Sequence, residues 1–195
     1  MDVSMPISSV VPSLDGPVLV ALAATTAPTS LAEVHRRAGR GSKSGVREVL
    51  LRMIEVGLVD DVPGGFVLNR EHVAAPAVAL LADLHGELVR RIRSTVDDWG
   101  GEVSLVGLFG SAARRDGDSS SDIDLLVVSD AEGLDDLIER LTGQVCSWTG
   151  NRAQVIGMPS AELRRLRRAK EPIVARWDAE VVVICGDRRA LRSTA

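Results

Sequence analysis

The period of the hydrophobic positions changes along the chain, and the changes divide it into two halves. Met1 to Asp15 mixes Ser, Pro and Val without regular spacing and reads as a loose leader. Apolar residues then dominate Pro17 to Ala24 and predict a first helix. After Pro28, Ser30-Leu31-Ala32-Glu33 has the spacing of a capping box that opens a second helix, stopped near Gly39. Val46, Val49, Leu50 and Met53 fall at i, i+3, i+4 and i+7, so Ser44 to Val56 is expected to be a third, amphipathic helix. Gly57 ends it. Leu58-Val59 and Phe66-Val67-Leu68 read as two short strands joined through the Pro63-Gly64-Gly65 turn.

From Val73 to Trp99 the apolar residues Ala77, Leu81, Leu84, Leu88, Ile92, Val96 and Trp99 step by three or four, which predicts one long helix with Pro76 tolerated in its first turn. Beyond Gly100-Gly101 short apolar runs alternate with helical periods. Val103 to Phe109, Ile123 to Val128, Ala153 to Met158 and Val181 to Cys185 read as strands. Between them lie a helix with Leu134, Leu137, Ile138 and Leu141 on one face and a helical stretch from Ser160 to about Trp177, interrupted by Pro172. The expected organisation is therefore a leader at 1–15, a helical domain with a hairpin at 16–72, a linking helix at 73–100 and an α/β domain with a small sheet at 101–195.

With 195 residues, 45% of them hydrophobic, the chain can bury a sizeable core and is too apolar for intrinsic disorder. Cys146 and Cys185 cannot form a stapling framework and are read as small buried hydrophobes, which makes a reducing cytoplasm the simplest setting. The longest apolar run, Val18 to Ala24, is far short of the roughly 20 residues that span a bilayer, so no membrane association is expected. The first Lys or Arg is Arg36, so the start is expected to lack the positive region of a signal peptide. A formal net charge of −4 disfavours indiscriminate nucleic-acid binding and requires any such contact to come from a local patch. Residues 36–47 supply one: Arg36, Arg37, Arg40, Lys43 and Arg47, with no acid among them. A second basic cluster, Arg164, Arg165, Arg167, Arg168 and Lys170, reads mainly as a solvated helix face. His35, His72 and His85 lack ligand spacing, and Trp148 reads as core more readily than as a base-stacking platform.

The chemistry is concentrated between the first two strands of the second half. Gly110-Ser111 at the end of a buried strand lets the backbone turn tightly, leaving N–H groups and the Ser111 hydroxyl free to bind phosphate oxygens, with Arg114 available to neutralise their charge. Asp122 and Asp124 are two residues apart at the entrance of the next strand, so both carboxylates project from one face. Such a pair repels unless a cation lies between them, and Mg2+ held by two carboxylates and substrate phosphates suits it.

Residues Leu108 to Val128, LFGSAARRDGDSSSDIDLLVV, resemble the signature of the polymerase-β-like nucleotidyltransferase superfamily, specifically its minimal bacterial members. The resemblance, which spans about Val103 to Gly186, implies that Gly110, Ser111 and Arg114 hold a nucleoside triphosphate and that Asp122 and Asp124 bind Mg2+ (or Mn2+) and carry catalysis. It also implies transfer of a nucleoside monophosphate to a hydroxyl on a protein, a tRNA or a small molecule, in a toxin–antitoxin or stress setting. Members of the family usually add a third carboxylate from the next core strand. Here Gln154 falls at that position; either another acid such as Glu180 or Asp178 substitutes, or the site binds nucleotide without efficient turnover.

The first half resembles the winged helix-turn-helix domains of bacterial transcription regulators in its element order and its Pro-Gly-Gly wing. That resemblance makes Ser44 to Val56 a recognition helix with Lys43, Ser44, Arg47 and Arg52 facing DNA, and it implies a homodimer on a symmetric site. The fold expected for the whole is thus a nucleotidyltransferase α/β domain with a small mixed sheet behind a winged helix-turn-helix domain. The alternative function is a DNA-binding regulator whose second domain binds nucleotide or mediates dimerisation without turnover.

Overall fold

A computed structural model describes residues 1–192. The chain forms two compact units, Met5–His85 and a second made of Met1–Ser4 together with the chain from Gly86 on.

In Met5–His85, α1 (Asp15–Ala23), α2 (Leu31–Ala38) and α3 (Lys43–Glu55) precede an antiparallel hairpin of β1 (Val59–Val62) and β2 (Gly65–Leu68), and α4 (Ala75–Ala82) follows. Thr29 adds a bridge to Phe66 on the hairpin. The cap expected at Ser30 forms, its hydroxyl accepting Glu33 N–H at the start of α2, and α3 starts one residue earlier than expected with Ser42 accepting Gly45 N–H as its cap. Only half of the capping box at Ser30 forms, because the Glu33 carboxylate is taken by Arg36 and Arg37 instead of returning to the cap. Val18, Leu22, Val34, Val46, Leu50 and Leu68 make the core of this unit.

The second unit is built on a four-stranded mixed sheet in the order β5-β4-β3-β6. Central β3 (Leu105–Phe109) is buried throughout and pairs antiparallel with both β4 (Ile123–Val128) and β6 (Val182–Gly186), while β5 (Ala153–Met158) runs parallel to β4. Alternate residues of β3 and β4 serve two cores, one on each face. Val106, Leu108, Leu125 and Val127 pack with Leu88, Ile92, Val96 of α5 (Leu84–Trp99) and with Leu137, Leu141, Val145 of α7 (Leu134–Thr149). Leu105, Phe109, Leu126 and Val128 pack with Leu163 of α8 (Ser160–Arg168) and with Val174 and Trp177 of α9 (Pro172–Glu180). The short α6 (Gly110–Arg114) connects β3 to the loop before β4, and α10 (Arg189–Arg192) follows β6.

Two expectations are corrected. The helix expected from Val73 to Trp99 is two helices that part at Asp83, whose φ of −112° and ψ of 29° leave the helical region. Aspartate is a poor interior helix residue, and the stripe on either side serves a different core: Val78 packs in the first unit, Leu88 and Ile92 in the second. The expected loose leader is packed. Val3 is buried in the core of the second unit, its N–H and that of Ser4 bond to the carbonyls of Asp118 and Gly117, and Ile7, on a 3-10 turn at Pro6–Ser9, is buried in the first. No helix of the described residues is long and apolar enough to cross a membrane.

Candidate active site

The site forms where β3 ends and β4 begins, beside each other in the sheet. Phe109 is the register partner of Asp124. Gly110 then turns the chain at φ +66°, a left-handed conformation that favours glycine. A Cβ there would lie 2.4 Å from Oδ2 of Asp124, so the absent side chain is also what lets the carboxylate lie against the turn. Ser111 follows within α6, and Arg114 closes it.

Asp122 and Asp124 are half-buried at the start of β4, one immediately before the strand and one on it. Burial pushes the Asp124 carboxyl above its ordinary value, and the negative charge of Asp122 adds to the rise, while Arg176 and Arg114 oppose it. A cation between the two carboxylates would relieve that repulsion, which is how this donor set fits a divalent ion. Among the described residues no three His, Cys, Asp or Glu side chains cluster closely enough to enclose a metal by themselves. The pair therefore suits an ion that keeps phosphate and water oxygens among its ligands.

Gln154 is the register partner of Asp124 on β5, so an amide stands next to the acid pair on that side. On the other side of β3 the last residue of α9 brings in a carboxylate: Oε2 of Glu180 accepts Gly110 N–H at 3.2 Å and Arg114 Nη1 at 2.8 Å, with Arg176 Nε 3.7 Å away. Of the two acids weighed as substitutes, Glu180 reaches the site. Asp178 does not, being held by both terminal nitrogens of Arg167 at 3.0 and 2.7 Å. Arg114 also donates through Nε to Asp116 at 2.8 Å, so its guanidinium is shared between two carboxylates.

Asn151 was not singled out by the sequence reading. Buried after α7, it donates through Nδ2 to the carbonyls of Ser121 at 2.9 Å, Met1 at 3.0 Å and Ser119 at 3.3 Å. It thus pins the loop that delivers Asp122. Asp118 orders the same loop from within by accepting from Ser120 N–H and hydroxyl, and these bonds hold its carboxyl below the usual range. The signal for this arrangement was tertiary, because Val3 and Asn151 meet the loop only once the sheet is assembled.

Residues 89–183 match the family model of the nucleotidyltransferase domain. The matched stretch runs from within α5 to β6 and contains Gly110, Ser111, Arg114, Asp122 and Asp124. Three solved structures are similar at low identity. One is the crystal structure of a toxin–antitoxin with AMP-PNP (17% identity, TM-score 0.41, 53% of this chain and 77% of that one). Another is a mutant of the toxin–antitoxin MntA-HpeT (15%, 0.40, 53% and 77%). The third is a tri-AMPylated Shewanella oneidensis HEPN toxin in complex with MNT antitoxin (16%, 0.38, 54% and 75%). A search of curated proteins gave no match.

Elsewhere, Trp148 packs at the edge of the second unit's core with the Arg91 guanidinium 5.8 Å from the ring centroid. In the basic cluster of α8, Arg165 is held by Glu162 and Arg167 by Asp178. A cavity of about 310 Å³ lined by Ser104, Ser160, Arg164, Arg189 and Ala190 lies at the start of β3, the opposite end from Gly110. In Met5–His85, Lys43, Ser44 and Arg47 are exposed on the first turns of α3, whereas Arg52 forms an ion pair with Asp15 at 2.8 Å.

Proposed function

We propose that the chain is a Mg2+-dependent nucleotidyltransferase that moves a nucleoside monophosphate from a triphosphate to a hydroxyl acceptor. The observation that carries this reading is Asp124 seated against Gly110, the residue whose N–H shares the Glu180 carboxylate with Arg114, with Asp122 two residues before it at the entrance of β4. Gly110 N–H, the Ser111 hydroxyl and Arg114 hold the triphosphate; Asp122 and Asp124 hold Mg2+ or Mn2+. When bound, such an ion polarises the phosphate and activates the attacking and leaving oxygens. Arg114 supplies planar, charge-assisted donors to phosphate oxygens. The acceptor oxygen bonds to the α-phosphorus as the link to the β-phosphate breaks, pyrophosphate leaves and the hydroxyl proton passes to solvent. Gln154 cannot take that proton, since an amide is no base at neutral pH. The acceptor is a protein side chain, a tRNA end or a small molecule, and the family signature in Leu108 to Val128 supports a toxin–antitoxin or stress setting. Pyrophosphate release from ATP with Mg2+ in bacterial lysate tests the reading. Loss of release in Asp124→Asn is expected, and equal release from wild type and variant would sink it.

A second reading is favoured by a separate observation. The order of three helices and a hairpin in Met5–His85, with the Thr29–Phe66 bridge and the exposed Lys43, Ser44 and Arg47, suits a winged helix-turn-helix module that docks on DNA as part of a homodimer. With Gln154 beside the acid pair, the nucleotidyltransferase domain would then bind nucleotide without turnover. Retardation of DNA fragments from upstream of the coding sequence, lost in Lys43→Ala/Arg47→Ala while nucleotide binding persists, would assign the two activities to separate units.

A further inference from the structure

The donors assigned to the triphosphate already hold an anion, and it belongs to the chain. Gly110 N–H and Arg114 Nη1 both point at Oε2 of Glu180, with Arg176 Nε near the same oxygen. Glu180 ends α9 next to the buried Val181, so its backbone is anchored in the core while its side chain stays 23% exposed to solvent. A carboxylate and a phosphoryl group offer these donors the same thing, an anionic oxygen on a short planar or tetrahedral head.

We propose that Glu180 is an internal stand-in for a triphosphate oxygen: it keeps Gly110 N–H and Arg114 oriented while the site awaits nucleotide, and the incoming triphosphate must displace it. Glu180 thereby competes with the nucleotide and sets how strongly it binds. The local contacts favour the competition. Asp116 and Glu180 share the Arg114 guanidinium and Arg176 lies beside Glu180, so a triphosphate that takes Gly110 N–H and Arg114 takes the donors Glu180 now holds. A ligand with several anionic oxygens can replace one carboxylate on both donors; a weakly charged one cannot. This inference rests on the triphosphate reading above.

The test is the affinity of the full chain for a fluorescent, non-cleavable α,β-methylene ATP in Mg2+, measured by anisotropy for wild type, Glu180→Gln, Glu180→Ala and Arg114→Ala. Removing the competing charge is expected to tighten binding about tenfold in Glu180→Gln and in Glu180→Ala, the size of one charge-assisted hydrogen bond. Arg114→Ala is expected to weaken it. If Arg114→Ala weakens binding while both Glu180 variants bind as wild type or worse, Glu180 does not compete and the inference is overturned. If Arg114→Ala leaves binding unchanged, the placement of the triphosphate itself falls, and this inference with it. Agreement between the two Glu180 variants separates lost charge from an altered fold.

Discussion

Gly110 and Gly150 both take a positive φ, +66° and +72°, yet their surroundings differ completely. A Cβ at Gly150, the cap residue of α7, meets nothing within 4 Å; a Cβ at Gly110 meets Asp124 Oδ2 at 2.4 Å. Gly→Ala therefore imposes positive-φ strain at both positions, about 1–2 kcal/mol. For a domain of this size that lowers the melting temperature by roughly 2–8 °C. At Gly110 alone the carboxylate must also retreat, by roughly 0.6 Å to reach the 3.0 Å below which real contacts essentially do not occur, and an error approaching 1 Å at a reacting group can cost on the order of 100-fold in rate. The expected outcome is two variants of similar stability, of which Gly150→Ala transfers nucleotide at close to the wild-type rate and Gly110→Ala about tenfold more slowly, the share of that loss carried by a retreat of roughly 0.6 Å. Thermal unfolding and initial transfer rates measured on the same preparations decide the matter. Equal activity in the two variants would refute the argument that Asp124 works only when seated against the bare Cα of Gly110.

Other consequences can be checked as directly. Burial and Asp122 raise the Asp124 carboxyl, so its charged form is disfavoured in the fold; the cost is absent below the unfolded value, grows as pH rises through the raised one and is complete at neutral pH. Asp124→Asn should accordingly melt higher than wild type at pH 7 in chelator, with the advantage fading toward pH 3.8, the ordinary value, and should lose any stabilisation by Mg2+ with ATP. Asn151→Ala leaves the carbonyls of Ser119 and Ser121 without their donor and should cost about 1–3 kcal/mol in denaturant unfolding, with transfer falling further than stability explains. Arg36 and Arg37 hold the Glu33 carboxyl down to about 2; Glu33→Gln frees both cations and should strengthen DNA retardation at low salt, whereas Lys43→Ala/Arg47→Ala should weaken it and flatten its salt dependence.

The elements that carry the site were legible because they are local. A buried apolar run ending in Gly-Ser and an Asp-x-Asp leading into another are written within 21 residues, Leu108 to Val128, and the structure places them side by side through β3–β4 pairing. Gln154 was found because the family resemblance expects a third carboxylate on the next core strand and the apolar run from Ala153 to Met158 marks that strand; the structure pairs it with Asp124. What escaped depends on which core a face serves. The stripe from Ala77 to Trp99 keeps helical spacing across Asp83, and spacing alone says nothing of its halves belonging to different units. Val3 lacks a periodic neighbourhood, so only the assembled core shows that it is buried. The choice between Asp178 and Glu180 turned on two residues of α9 that differ by half a turn: one meets Arg167, the other Gly110 and Arg114.

The central claim is that the acid pair at Asp122 and Asp124 performs transfer. Incubating the wild-type chain and Asp122→Asn/Asp124→Asn with α-labelled ATP, CTP, GTP and UTP, Mg2+, and the proteins and tRNA of a bacterial lysate tests it most directly. Label on a defined acceptor with wild type and none with the variant is the predicted result. Bound triphosphate with no labelled acceptor in either case would contradict it and leave the domain a nucleotide-binding module.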